Sequence, residues 1–111
     1  MVELTPQQMQ IMERLFAEGF RPVAIPPYEN ALCLKKGNCA AVLAPIPNGG
    51  LRSVALPSYM VGGNLSVKLK RGSREVFVWK KMEIDATADR LRELESFRKE
   101  LSELLERSRE Q

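Results

Sequence analysis

Residues 65–81 read LSVKLKRGSREVFVWKK, and the interpretation of the whole chain depends on this stretch. Apolar and basic residues alternate on both sides of a glycine, which is typical of a β-hairpin. A two-residue turn at Gly72–Ser73 would place Lys70 opposite Glu75, a favourable cross-strand pair of opposite charges. We therefore predict a hairpin with this register.

The predicted register gives the hairpin two faces of different chemistry. One face carries only apolar residues and is predicted to pack in the core: Leu65, Val67, Leu69, Val76 and Val78. The other face is mixed and carries Ser66, Lys68, Lys70, Glu75, Phe77 and Trp79. A longer turn would shift the register by one residue and undo this assignment.

The mixed face supplies the candidate binding residues. With the two lysines that follow it, the set is Lys68, Lys70, Phe77, Trp79, Lys80 and Lys81. Aromatic rings among lysines are the ingredients of a nucleic-acid surface, but lysine stems also lie across rings on ordinary surfaces. Residues 61–81 carry six basic and one acidic residue, whereas residues 82–111 carry six basic and nine acidic residues. An acidic segment that folds back onto the hairpin would offset its charge, which disfavours nucleic acid as a partner.

The segment before the hairpin begins with a predicted helix at about residues 6–18. Thr5 is a suitable N-cap, and Gln8 three residues later completes a capping box. Gly19 is placed to end the helix in the left-handed conformation. All three signals are local, so they define this helix without reference to the rest of the fold.

The segment after the hairpin contains a second, longer predicted helix at about residues 87–107. Thr87 is a plausible N-cap. Apolar residues recur at steps of three and four, as on one face of a helix: Leu91, Leu94, Phe97, Leu101, Leu104 and Leu105. Glu83 and Asp85, just before this helix, are interpreted as part of a solvated connection.

Between the two helices, about residues 22–81 contain frequent turn residues and short apolar runs. This pattern predicts an antiparallel sheet of five to six short strands, including a hairpin around Gly37–Asn38. Gly62–Gly63 is expected to interrupt any strand there. The predicted fold class is α+β, with a sheet flanked by the N-terminal and C-terminal helices in a single domain, 1–111.

Composition narrows the functional classes. The chain has 111 residues, 44% of them hydrophobic and 28% charged, with a net charge of +3, which is typical of one globular domain. The polar N-terminal residues do not resemble a signal peptide, and no apolar run approaches the roughly 20 residues that span a bilayer. We therefore predict a cytoplasmic protein without a membrane partner.

The two cysteines, Cys33 and Cys39, are the candidate reactive groups. They would face each other across a three-residue hairpin loop and lie on opposite faces with a loop of two or four. The chain has no histidine, so neither a zinc site nor a Cys–His catalytic pair is indicated. We predict buried thiols, no metal, no cofactor and no enzymatic activity.

The resulting functional prediction is a small non-catalytic module that binds a protein partner or itself. Self-association to a homodimer is considered because the second predicted helix is long for this domain. The alternatives are a nucleic-acid-binding module that uses hairpin 65–81, and, least favoured, a cysteine-dependent enzyme or redox protein.

Overall fold

The computed structural model describes residues 3–28 and 30–109 and confirms the α+β class. Helix α1 (Pro6–Ala17) precedes the strands, helix α2 (Ala88–Arg109) follows them, and a short 3₁₀ turn spans Pro26–Tyr28. The strands are β1 (Arg21–Pro22), β2 (Leu32–Lys36), β3 (Cys39–Pro45), β4 (Leu51–Ser53), β5 (Ser58–Val61), β6 (Asn64–Leu65), β7 (Val67–Arg71), β8 (Arg74–Trp79) and β9 (Met82–Asp85).

The strands form two antiparallel sheets. The larger sheet has the order β1-β2-β3-β5-β6, with β4 also paired to β3, and the smaller has the order β7-β8-β9. The described strands outnumber the five to six predicted. Strand β9 is not predicted, because the alternating charges of Glu83 and Asp85 indicate a solvated connection, whereas in the structure both residues belong to a strand paired with β8. Gly62 and Gly63 interrupt the strand as predicted, because both have positive φ and form the tight turn between β5 and β6.

The predicted capping box of α1 is present. The Gln8 N–H donates to Thr5 Oγ1 at 3.2 Å, and the Thr5 N–H donates to Gln8 Oε1 at 2.9 Å. The Gln8 side chain has a second role, because its Nε2 also donates to the carbonyl oxygens of Ile46, Gly49 and Gly50. One buried amide therefore caps α1 and holds the loop between β3 and β4 against it.

Helix α2 is held by apolar and polar contacts. Its stripe is buried in the main core, where Leu94, Phe97, Leu101, Leu104 and Leu105 pack with residues of α1 and of both sheets. On one flank of this stripe, the turn between β2 and β3 contacts the helix: the Asn38 N–H donates to Glu93 Oε2 at 2.8 Å. Lys36 and Glu100 form an ion pair at 2.6 Å. These contacts fix which side of α2 faces the β7–β8 hairpin.

The predicted register of the β7–β8 hairpin is confirmed, but its predicted core face is wrong. Lys70 pairs with Glu75 as expected. Val67 and Leu69, assigned to the core, are 59% and 42% exposed, whereas Phe77 on the mixed face is 1% exposed. The mixed face is the one that packs inward.

Two features explain why the mixed face is the inner one. The Phe77 ring stacks on Tyr59 of β5, with ring centres 4.9 Å apart, and an aromatic ring buries more apolar area than a valine does. On the outer face, Arg71 of β7 and Glu83 of β9 form an ion pair at 3.2 Å that bridges across β8. Val76 lies on that face of β8 and is fully buried. The Arg71–Glu83 ion pair therefore crosses β8 on the face that carries Val76.

Candidate binding site

A cavity of about 580 Å³ lies between α2, the β7–β8 hairpin and the loop that precedes β5. Its walls are mostly apolar. Aromatic side chains contribute Tyr28, Phe77 and Trp79, and aliphatic side chains contribute Leu56, Leu65 and Leu94. We call this cavity the cationic cleft, because the charged side chains that line it are Lys68 and Arg98.

The two cations of the cleft are held differently. The Nε–H of Arg98 donates to the Pro57 carbonyl at 2.8 Å, which orients the guanidinium group. Over the described part of the chain, the terminal nitrogens of Arg98 have no hydrogen-bond or ion-pair partner. Lys68 lies 3.4 Å from Glu75, but both side chains are more than a third exposed, so this pair is weak.

The aromatic side chains of the cleft differ in exposure. Phe77 is buried in the core, where its ring stacks against Tyr59. Trp79 is half-buried and packs at the margin of the same core. The ammonium group of Lys80 lies 5.4 Å from the centre of the Trp79 ring, within the range of a cation–π contact. Trp79 is therefore the aromatic side chain that can report on occupation of the cleft.

The structure brings together half of the predicted site residues. Lys68, Phe77 and Trp79 line the cleft, and Lys70 lies on the same face of β7 without lining it. Lys80 and Lys81 form the turn between β8 and β9. Whether any of the six binds a partner stays a prediction.

Arg98 lines the cleft but is not among the site residues predicted from the sequence. It lies on α2, far along the chain from the β7–β8 hairpin. A signal was present, because Arg98 follows Leu94 by four residues and precedes Leu101 by three, which places a cation on the apolar stripe. A charged residue at such a position either pairs in the core or faces a cleft.

Strand β7 is the second feature of the site. It forms an edge of the three-stranded sheet, pairs only with β8 among the described residues, and all five of its residues are exposed. The two-residue turn brings Arg71 and Arg74 together as a hydrogen-bonded pair, and such pairs alternate along an antiparallel ladder. The backbone N–H and C=O groups of Lys68 and Lys70 therefore point away from β8.

The cysteines lie on opposite faces of the larger sheet. The loop between β2 and β3 has two residues, since Lys36 pairs with Cys39, and Cys33 pairs with Val42. Both thiols are free and buried. Burial, followed by the negative charge of Glu93, raises the pKa of Cys39 to about 12, and burial also raises the pKa of Cys33. Both thiols stay protonated near neutral pH, whereas the thiolate is the nucleophile.

Across 3–28 and 30–109, no three histidine, cysteine or acidic side chains come close enough to hold a metal ion. Neither described helix is long and apolar enough to cross a membrane. Comparisons with protein-family models, curated proteins and solved structures found no match.

Proposed function

We propose that this protein is a small non-catalytic interaction module that binds an extended acidic segment of a partner protein. The partner segment would pair with the open edge of β7 and add a fourth strand to the sheet. The observation that carries the proposal is this edge, whose exposed strand holds Lys68, Lys70 and Arg71. Strand addition is a common mode of peptide recognition, because backbone hydrogen bonds supply affinity and side chains supply specificity.

The backbone of β7 supports this mode of binding. Lys68 and Lys70 direct their N–H and C=O groups outward, and a partner strand would satisfy them in the same way as β8 satisfies the other side. The strand is also long enough, since its five residues reach the usual length of a sheet strand. An incoming strand would lie beside Val67 and Leu69 on one face and the lysines on the other.

The charge of the edge favours a different, acidic chain over a second copy of this one. In an antiparallel pair of two β7 strands centred on Leu69, Lys68 of each copy would face Lys70 of the other, and opposed like charges destabilise a sheet. Edge lysines are a common device that prevents such self-pairing. Glutamate or aspartate at alternate positions of a partner strand would instead face Lys68 and Lys70.

The other predicted modes of association have less support. The apolar stripe of α2, which prompted the homodimer prediction, is buried within the protomer from Leu94 to Leu105. The nucleic-acid alternative requires aromatic rings that are free to stack on bases, but the Phe77 ring is already stacked on Tyr59. Two free, buried thiols fit the reducing cytoplasm, where we place the module.

A peptide-binding experiment tests the proposal. A fluorescein-labelled ten-residue peptide that alternates valine and glutamate is titrated with the protein, and its anisotropy is followed. A peptide that alternates valine and lysine is the control. We expect saturable binding of the acidic peptide alone, weakening as salt is added, because exposed charges are screened. Equal binding of the two peptides, or none, would refute the proposal.

Substitutions at Lys70 separate backbone pairing from charge. Lys70→Pro removes the outward N–H but no hydrogen bond to β8, since proline is tolerated where an edge N–H faces solvent. Lys70→Gln removes the charge and keeps the N–H. We expect proline to weaken acidic-peptide binding by at least about tenfold and glutamine by about threefold. If the two variants bind equally well, the peptide is not added as a strand.

A further inference from the structure

We infer that the cationic cleft is a binding site for a small organic anion with an apolar, ring-sized body. Its volume of about 580 Å³ lies within the usual range for small-molecule sites. Its walls combine aromatic and aliphatic side chains with two cations, which is the usual composition of such sites. The inference does not depend on strand addition at β7, because Arg98 and Trp79 lie outside that edge.

The charge of the lining selects an anion. Among the described residues that line the cleft, Lys68 and Arg98 are charged and none is acidic. Glu75 pairs with Lys68 from outside the cleft, at 3.4 Å between partly exposed side chains. Glu95 lines an adjoining cavity of about 330 Å³, which Lys68 and Arg98 also border. An anion in the cleft would therefore meet cations without displacing a buried carboxylate.

The hydrogen-bonding groups of the cleft point to the same conclusion. The Ser66 hydroxyl donates to the Tyr59 carbonyl at 2.5 Å, and the Ser58 hydroxyl donates to the Leu56 carbonyl at 2.9 Å. Both hydroxyl protons are thus used within the protein. The charged donors left for a ligand are the terminal nitrogens of Arg98 and the ammonium group of Lys68, and both favour a negatively charged acceptor. The Trp79 indole N–H and the Tyr28 hydroxyl add neutral donors to the same walls.

Arg98 is positioned to hold that acceptor. Its Nε–H is bound to the Pro57 carbonyl, so the guanidinium plane is oriented before a ligand arrives. The two terminal nitrogens can bind a carboxylate or sulfonate in a forked, two-bond geometry. The apolar body of the ligand would lie against Trp79 and Leu94. Lys68 would contribute less to binding of the anion, because its ammonium group also pairs with Glu75.

Two fluorescent probes with the same ring system test the inference. The anionic probe is 8-anilinonaphthalene-1-sulfonate, and the neutral control is N-phenyl-1-naphthylamine, which lacks the sulfonate. Trp79 is the single tryptophan in the chain, so energy transfer from it reports binding nearby. We expect the anionic probe to quench Trp79 saturably and to bind roughly tenfold more tightly than the neutral one, as charge-assisted hydrogen bonds would give.

Variants of α2 locate the probe. Arg98→Gln should weaken the anionic probe by about tenfold and leave the neutral probe within about twofold, and Arg98→Lys should restore part of the loss. Lys99→Gln is the matched control, because this neighbouring residue is exposed and does not line the cleft. Equal affinity for the two probes, or an equal loss for both in Arg98→Gln, would overturn the inference. Circular dichroism confirms that each variant is folded.

A carboxylate on an apolar body can belong to a free molecule or to a peptide, and competition distinguishes these sources. Indole-3-carboxylate should displace the anionic probe, whereas indole-3-carboxamide should not. Displacement by the valine–glutamate peptide but not by indole-3-carboxylate would overturn the small-ligand inference. Lys70→Pro should leave probe binding unchanged, so this site and strand addition at β7 can fail separately.

Discussion

Truncation of Phe77 should destabilise the protein far more than truncation of Leu69, although both residues lie on the same hairpin. Phe77 is 1% exposed and stacks on Tyr59 at 4.9 Å. Truncation of a buried phenylalanine costs about 3–5 kcal/mol, which includes about 0.5–1.5 kcal/mol for an aromatic pair. Leu69 is 42% exposed, so Leu69→Ala should cost only about 1 kcal/mol, half of the lower limit for a buried leucine.

Urea unfolding followed by far-UV circular dichroism measures this difference. A gap of about 2 kcal/mol or more separates the two midpoints by about 1 M urea for a small domain. If Phe77→Ala does not fold, Phe77→Leu keeps an apolar side chain and should still lose about 1 kcal/mol with the stacked ring. A loss in Leu69→Ala as large as that in Phe77→Ala would show that the outer face is the core face after all.

Three further substitutions or reactions test separate contacts. Gln8→Glu keeps an oxygen that can accept from the Thr5 N–H but removes the Nε2 donor to the loop carbonyls. It should lower the free energy of unfolding, measured in urea, by about 2 kcal/mol. An unchanged free energy of unfolding would refute the role of this amide in holding the loop. Gly37→Ala should cost about 1 kcal/mol more than Gly72→Ala. Both glycines have positive φ, but only the Cβ added at Gly37 would meet Glu93 Oε2, at 2.6 Å, and push it away from the Asn38 N–H that it accepts from. Equal losses would contradict that contact. Cys39, whose pKa is raised to about 12, should react with iodoacetamide at pH 8 far more slowly than N-acetylcysteine does. In the unfolded protein, Cys39 should react as fast as N-acetylcysteine. Rapid labelling of the native protein would show that Cys39 is an accessible thiolate.

The parts of the fold that local chemistry determines could be predicted from the sequence. The capping box at Thr5 and Gln8 involves residues three apart, and the structure confirms it. The Gly72–Ser73 turn sets the hairpin register, because turn length alone determines which residues are opposed. In both cases the decisive interactions lie within a few residues of one another.

The parts that depend on distant segments could not be predicted. Which face of the hairpin is buried depends on where β5 and α2 pack, and both faces carry apolar residues, so the alternation of residues favours neither. The donation of Gln8 to the carbonyl oxygens of residues 46–50 is equally non-local. The cleft combines Lys68 with Arg98 from α2, and only the packed structure brings these two cations together.

A nuclear magnetic resonance titration of the ¹⁵N-labelled protein with the valine–glutamate peptide shows directly whether a partner strand adds to the edge of β7. Strand addition predicts that the backbone amides of Lys68 and Lys70 shift most and become protected from hydrogen exchange, because they gain partners for outward-pointing N–H groups. Amides of β9, at the other edge of the same sheet, should change little. Shifts confined to β9 or to α2, or β7 amides that stay unprotected at saturation, would contradict strand addition at β7.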